Sequence, residues 1–158
     1  MSNARSSVPA REECVLRYVL DRRAAQTPSR DFIRLPDGSA IGYGTFRDEV
    51  RRVAAALACL GVRQGDTVNV WLPNGLEMVR VWCAINWLGA VYVPINTAYK
   101  GNLLAHVIAN AGARVIVASA DLAPRLKDED RAALQTVGCL GGARPAIGGM
   151  AVVGAGPL

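Results

Sequence analysis

An α/β fold is what this sequence predicts: a mostly parallel sheet with flanking helices, preceded by a helix and a β-hairpin. Three observations carry that reading. From Thr67 to Ala118 the apolar pattern switches repeatedly between strand and helix periods, the order that builds a parallel sheet with crossover helices. Gly61 and Gly89 stand just past helical runs, where a residue free to adopt left-handed backbone ends a helix. The 158 residues are 51% hydrophobic, enough to fill a core and too apolar for a disordered chain.

Taken in order, residues 1–10 are polar and read as a flexible N-terminus. Glu12 to Ala25 has a helical pattern with Cys14, Val15, Tyr18 and Val19 on one side, stopped by Thr27-Pro28-Ser29. Phe32–Leu35 and Ser39–Gly42 flank the turn Pro36-Asp37-Gly38 and predict a hairpin. Thr45 reads as a helix N-cap with Asp48 as its capping-box partner, followed by Phe46, Val50, Val53, Leu57 and Leu60 at helical spacing. A turn at Gln64-Gly65-Asp66 leads to a strand over Thr67–Leu72. Asn74 reads as the next cap, supported by Glu77. Leu76, Val79, Cys83 and Trp87 form one stripe and Met78, Trp82 and Ile85 a second, so this helix is expected to be buried on two sides. Val91–Ile95 predicts a strand and Gly101–Asn110 a helix with Leu103, Leu104, Val107 and Ile108 inward. Arg114–Ala118 and Thr136–Leu140 predict two further strands. Gly141–Leu158 is Gly/Ala-rich, carries only Arg144 as a charge and has no clear period. The domain reading is therefore an N-terminal stretch 1–10, a folded region 11–140 and a truncated tail 141–158.

Several function classes find no support. The net charge of +5 is spread, and its densest cluster, Arg47, Arg51 and Arg52, reads as a solvated helix face rather than a nucleic-acid surface. Cys14, Cys59, Cys83 and Cys139 show no metal or redox spacing. The first three lie in apolar helical patterns and read as buried hydrophobes, which suits a reducing, cytoplasmic location. Val15–Leu20 is interrupted by Arg17, so no signal peptide is expected. The uncharged run Trp82–Tyr99 contains Asn86, Gly89, Pro94 and Asn96 and reads as helix, turn and strand, not a membrane span. His106, the only histidine, has no nucleophile near it in sequence and reads as a surface residue. Gly149 to Gly154 has P-loop spacing, but Ala155-Gly156 replaces the Lys-Ser/Thr pair. Gly42-Tyr43-Gly44 lacks the third glycine of a dinucleotide loop.

The skeleton Gly61-Val62, Gly65-Asp66, Val68, Pro73-Asn74, Glu77, Leu88-Gly89-Ala90, Pro94 and Asn96 resembles the N-terminal region of the adenylate-forming (AMP-binding) enzymes: acyl-CoA synthetases, adenylation domains and luciferases. The resemblance spans roughly residues 12–140. Over Asn96–Gly101 it is nearest the carnitine/crotonobetaine and fatty-acyl CoA ligase branch. It implies part of the N-terminal subdomain of that fold. For a full-length member it implies ATP, Mg²⁺ and CoA, a carboxylic acid activated to an acyl-adenylate, and then a thioester. The family's phosphate loop ends in Pro-Lys-Gly, where backbone N–H groups and a lysine meet phosphate. The two lysines here lie instead in Tyr99-Lys100-Gly101 and Leu126-Lys127-Asp128. No catalytic, cofactor-binding or metal-binding residue is therefore expected in this chain, nor any bound cofactor, and the isolated chain is expected to be inactive. Two alternatives are a non-catalytic partner-binding module and a small flavodoxin-like nucleotide binder; the missing phosphate loop disfavours the latter. Apolar surface left uncovered on the two-sided helix or at the sheet edge implies self-association.

Overall fold

The leading helical pattern breaks in two, α1 (Arg11–Cys14) and α2 (Leu16–Gln26), because Val15 between them is extended. The computed structural model describes residues 10–127, 133–140 and 151–155. The chain divides into two compact units, Met1–Asp48 and Glu49–Leu158.

In the first unit α2 buries Leu20 and Ala24, one turn apart, while Cys14 is exposed and Val15, Tyr18 and Val19 are half-buried. The inward face is thus displaced from the one expected. Strands β1 (Asp31–Arg34) and β2 (Ala40–Gly42) form the hairpin, with Ile33 opposite Ile41. Asp37 fixes its turn by accepting the Ser39 N–H at 2.9 Å and hydroxyl at 2.6 Å, and these bonds lower the Asp37 pKa.

Helix α3 (Tyr43–Cys59) starts two residues before Thr45, which corrects the expected cap. The Tyr43 N–H donates to the Arg30 carbonyl at 3.1 Å and the Gly44 N–H to the Pro28 carbonyl at 2.9 Å. Backbone from the Pro28–Arg30 turn therefore satisfies donors that a side chain would otherwise cap. The same approach explains the paired glycines: a Cβ on Gly42 would sit 2.7 Å from the Pro28 oxygen. Phe32 packs against Tyr43 and Phe46, with ring centroids 4.7 and 4.9 Å away.

The second unit is built on a five-stranded parallel sheet of order β4-β3-β5-β6-β7. Its strands are β3 (Thr67–Trp71), β4 (Val91–Pro94), β5 (Val115–Ser119), β6 (Thr136–Leu140) and β7 (Ala151–Ala155). Strand β7 lies in the stretch where no period was visible, and pairs with β6 from Thr136↔Ala151 to Leu140↔Ala155. The P-loop-like spacing falls partly in this strand, at Gly154, and partly outside the described residues. Because β4 and β5 flank β3 on opposite sides, right-handed crossovers place α4 (Leu76–Trp87) and α5 (Gly101–Ala111) on opposite faces.

Gly61 and Gly89 end α3 and α4 as expected, with φ of 89° and 71°. Val62 N–H reaches the Leu57 carbonyl and Ala90 N–H the Ile85 carbonyl, both at 3.1 Å, the bond that closes a left-handed helix end. Alternation along β3 and β5 sends Val68, Val70, Val115 and Val117 to one face of the sheet. The other face carries Trp71, Ile116 and Ala118 into one core with Leu104, Ile108 and Val137.

The helix faces differ from expectation. In α4 the buried residues are Arg80, Val81, Cys83, Ala84 and Ile85; Val79 and Trp87 are only half-buried, and Trp82 is 42% exposed. In α5 Leu104 and Ile108 are buried but Leu103 is 51% exposed. Cys59 is exposed, against its reading as core, while Cys83 and Cys139 are buried. His106 is exposed, as are Arg51 and Arg52.

Two buried polar features have no counterpart in the sequence reading. Arg80 Nε donates to Glu49 Oε2 at 2.9 Å and Arg80 Nη1 to Glu77 Oε1 at 2.5 Å, which ties α4 to α3. Burial opposes the Arg80 charge, but the bond and charge of Glu49, then those of Glu77, outweigh it and raise the Arg80 pKa. Glu77 is thus an ion-pair partner rather than half of a capping box. The second feature is Asn69 in β3, fully buried with neither side-chain oxygen nor nitrogen hydrogen-bonded among the described residues.

Candidate ligand cleft at the carboxyl ends of β3 and β4

In open parallel sheets the loops leaving the carboxyl ends of the strands form the ligand crevice. Here β3 runs out through Leu72, Pro73 and Asn74 into α4, and β4 through Ile95, Asn96 and Thr97 toward α5. Between these loops lies a cleft of about 460 Å³ whose walls include Leu72, Asn74, Met78, Tyr92, Thr97 and Tyr99. That volume falls within the range of small-molecule sites, about 300–1,000 Å³.

Local bonds explain why these residues occupy these places. Pro94 ends β4 at the sheet edge, where a missing N–H costs no ladder bond. Asn96 then reverses the chain: its Oδ1 accepts the Ala98 N–H at 2.9 Å and its carbonyl accepts the Tyr99 N–H at 3.0 Å. The same carbonyl accepts the Trp71 indole N–H at 3.2 Å, pinning the loop to the end of β3. Arg125, at the end of the 3₁₀ turn Ala123–Arg125, donates to the Thr97 and Tyr99 carbonyls, each at 3.3 Å. Its guanidinium lies 5.1 Å from the Trp71 ring centroid. Asn74, expected to cap α4, does not: Gly75 holds the N-cap position, no side chain bonds there, and the Asn74 carboxamide lines the cleft.

Electrostatically the cleft is neutral. Among the described residues no lysine, arginine, histidine, aspartate or glutamate lines it, and burial raises the Tyr92 pKa, so that phenol stays protonated. Such walls do not fit a triphosphate or Mg²⁺, which need opposite charge around them. The lysines lie elsewhere: Lys100 and Lys127 line a second cavity of about 320 Å³ with Tyr99, Gly101, Leu104 and Arg125. Burial pushes the Cys83 thiol up to about 11, which keeps it a neutral core residue; burial, then Asp121, raises Cys139. Among the described residues no group of three or more His, Cys, Asp or Glu could hold a metal. Among them, too, no helix is long and apolar enough to cross a membrane.

The cleft residues were in view in the sequence as Pro73-Asn74, Pro94 and Asn96, but they read there as scaffold. The signal that could have joined them is that each pair leaves the carboxyl end of a strand.

Comparison with known proteins gives the same picture from outside the structure. The family model for "AMP-binding enzyme" matches residues 20–147. An uncharacterized protein of Mycobacterium tuberculosis (strain H37Rv) is 30% identical over 126 residues, covering 79% of this chain and 71% of that protein. The 3-[(3aS,4S,7aS)-7a-methyl-1,5-dioxo-octahydro-1H-inden-4-yl]propanoyl:CoA ligase of the same organism is 35% identical over 136 residues, covering 85% of this chain. The chain spans only 25% of that ligase's length. The crystal structure of a long-chain-fatty-acid-CoA ligase from Archaeoglobus fulgidus superposes with a TM-score of 0.72 at 23% identity, over 82% of this chain and 28% of that one.

Proposed function

The chain belongs to the AMP-binding enzyme family, and from that premise we propose that it serves as the N-terminal sheet module of an ATP-dependent acid–CoA ligase. The single observation that carries the proposal is the family match over residues 20–147 to a chain that spans 25% of a CoA ligase. In such an enzyme a carboxylic acid is activated to an acyl-adenylate and passed to CoA. The module contributes scaffold and the wall of a ligand cleft. Phosphate, Mg²⁺ and thiol chemistry belong to residues this sequence does not contain, so the 158-residue chain alone is inactive. A cytoplasmic setting follows from the same reading. The test is ATP–pyrophosphate exchange, measured on the chain alone and on a ligase in which it replaces the matching segment.

A second reading, a non-catalytic module that binds a partner, is favoured by one finding: the matching segment alone makes up 71% of an uncharacterized relative. Supporting contacts are on offer at Trp82, 42% exposed on α4, and at Val91, 50% exposed on the edge strand β4. Under either reading we expect the purified chain to self-associate. Light scattering should give a mass above the 16.7 kDa of one chain, and a monomer at high concentration with no binding of a hydrophobic dye would exclude it.

A further inference from the structure

Of the seven asparagines in the chain, only Asn74 precedes a glycine. Everywhere else the following residue carries a Cβ that crowds its own backbone nitrogen. Pro73, Asn74 and Gly75 are all exposed. Among the described residues the Asn74 carboxamide makes no hydrogen bond and the Gly75 N–H donates none. The first tie is one atom further on, where the Val79 N–H donates to the Gly75 carbonyl at 3.2 Å. Other asparagines are held. Asn69 is fully buried, Asn86 Nδ2 donates to the Trp82 carbonyl at 2.8 Å, and Asn96 Oδ1 accepts the Ala98 N–H at 2.9 Å. Asn102 and Asn110 lie in α5. The comparable aspartate step, Asp37-Gly38, is held too: Ser39 binds the carboxylate and the Gly38 N–H donates to the Leu35 carbonyl at 3.0 Å.

We propose that Asn74 is a self-modification site, at which the chain converts asparagine to aspartate and isoaspartate with water as the only co-reactant. The Gly75 nitrogen attacks Asn74 Cγ. The new N–Cγ bond closes a succinimide ring, the Cγ–Nδ2 bond breaks, and the Gly75 amide proton leaves with the amino group as ammonia. Water then opens the ring, its OH going to the carbonyl carbon attacked and its other proton to the ring nitrogen. Opening at Cγ gives aspartate. Opening at the Asn74 main-chain carbon gives isoaspartate, with the chain running through Cγ. Either product puts a carboxylate on a cleft wall that otherwise carries no charged side chain among the described residues. It also stands beside the N-terminal end of α4, where negative charge is favoured. This chemistry is independent of the ligase reading.

The experiment incubates the folded chain, and a synthetic peptide of residues 64–80, at neutral pH and physiological temperature. Trypsin cuts after Arg63 and Arg80 and releases the same stretch from the chain, so tandem mass spectrometry reads Asn69 and Asn74 in one fragment. Two products of equal mass, with OH in place of NH₂ at Asn74, should form in the folded chain at a rate within about tenfold of the peptide's, since no local opening is needed. Asn69 should stay unmodified. Gly75→Ala should slow the reaction by about tenfold or more, because the added Cβ shields the attacking nitrogen. That variant should still melt cooperatively: the Gly75 backbone is extended, and a Cβ there meets nothing within 4 Å. A folded chain slower than the stated range, modification of Asn69 alongside Asn74, or a smaller effect of Gly75→Ala each overturns the proposal.

Discussion

Replacing Arg80 by Ala is expected to destabilise the chain by about 3–5 kcal/mol, because it leaves the Glu49 carboxylate buried without its counter-charge. The side chains of Arg80 and Glu49 are 7% and 11% exposed, so water cannot take over the lost bond. Glu77 does not compensate in the reverse case: in Glu49→Ala it still faces Arg80, but its own side chain is 47% exposed and its hold is correspondingly weaker. The discriminating measurement is a denaturant-unfolding cycle of Arg80→Met, Glu49→Leu and the double variant. Each single change should cost far more than the double, which replaces a buried ion pair by apolar volume and should lie near wild type. Additive single and double effects, or an Arg80→Ala midpoint that does not move, would show that the pair does not couple α3 to α4.

Trp71→Ala should cost about 3–5 kcal/mol as well, the range for truncating a fully buried aromatic residue. Trp71 has no exposed surface and sits in the core shared with Leu104, Ile108 and Ile116. It differs from other core residues in also holding the Asn96 carbonyl and lying under Arg125. Trp71→Phe therefore separates two roles. It should recover most of the stability while leaving the Asn96 loop without its indole bond. Backbone amides over residues 96–99 should then exchange faster in the Trp71→Phe variant than in wild type. Equal exchange in both would show that the turn formed by Asn96 alone suffices to order the loop.

How much of this was legible in the sequence depends on how far apart the interacting residues lie. Gly61 and Gly89 were readable as helix ends because the left-handed stop is a property of one residue and its immediate neighbours. The hairpin was readable for the same reason, since Asp37 and Ser39 make its turn locally. Strand positions followed from β-branched runs, and Thr136–Leu140 matches its expected bounds. The caps at Thr45 and Asn74 did not form. At Thr45 the need for a cap was met by carbonyls from Pro28 and Arg30, on the far side of the hairpin in the chain. At α4 Gly75 takes the cap position, leaving Asn74 in the cleft wall. Arg80 had no place in the sequence reading, because its partner Glu49 is 31 residues distant on another helix. Strand β7 (Ala151–Ala155) alternates no apolar and polar residues and includes Gly154, so its place in the sheet comes from pairing with β6 rather than from a pattern of its own. The cleft needed the sheet order itself: nothing in Pro73-Asn74 or Pro94-Ile95-Asn96 says that β3 and β4 are neighbours.

The central claim is that this chain is the N-terminal module of an acid–CoA ligase and has no adenylation chemistry of its own. ATP–pyrophosphate exchange tests it most directly. The purified chain should stay at the blank with every carboxylic acid tried. When it replaces the 136-residue matching segment of the Mycobacterium tuberculosis CoA ligase, exchange should persist with that ligase's own acid. Exchange above blank by the chain alone, or a folded swapped ligase with none, would contradict the account.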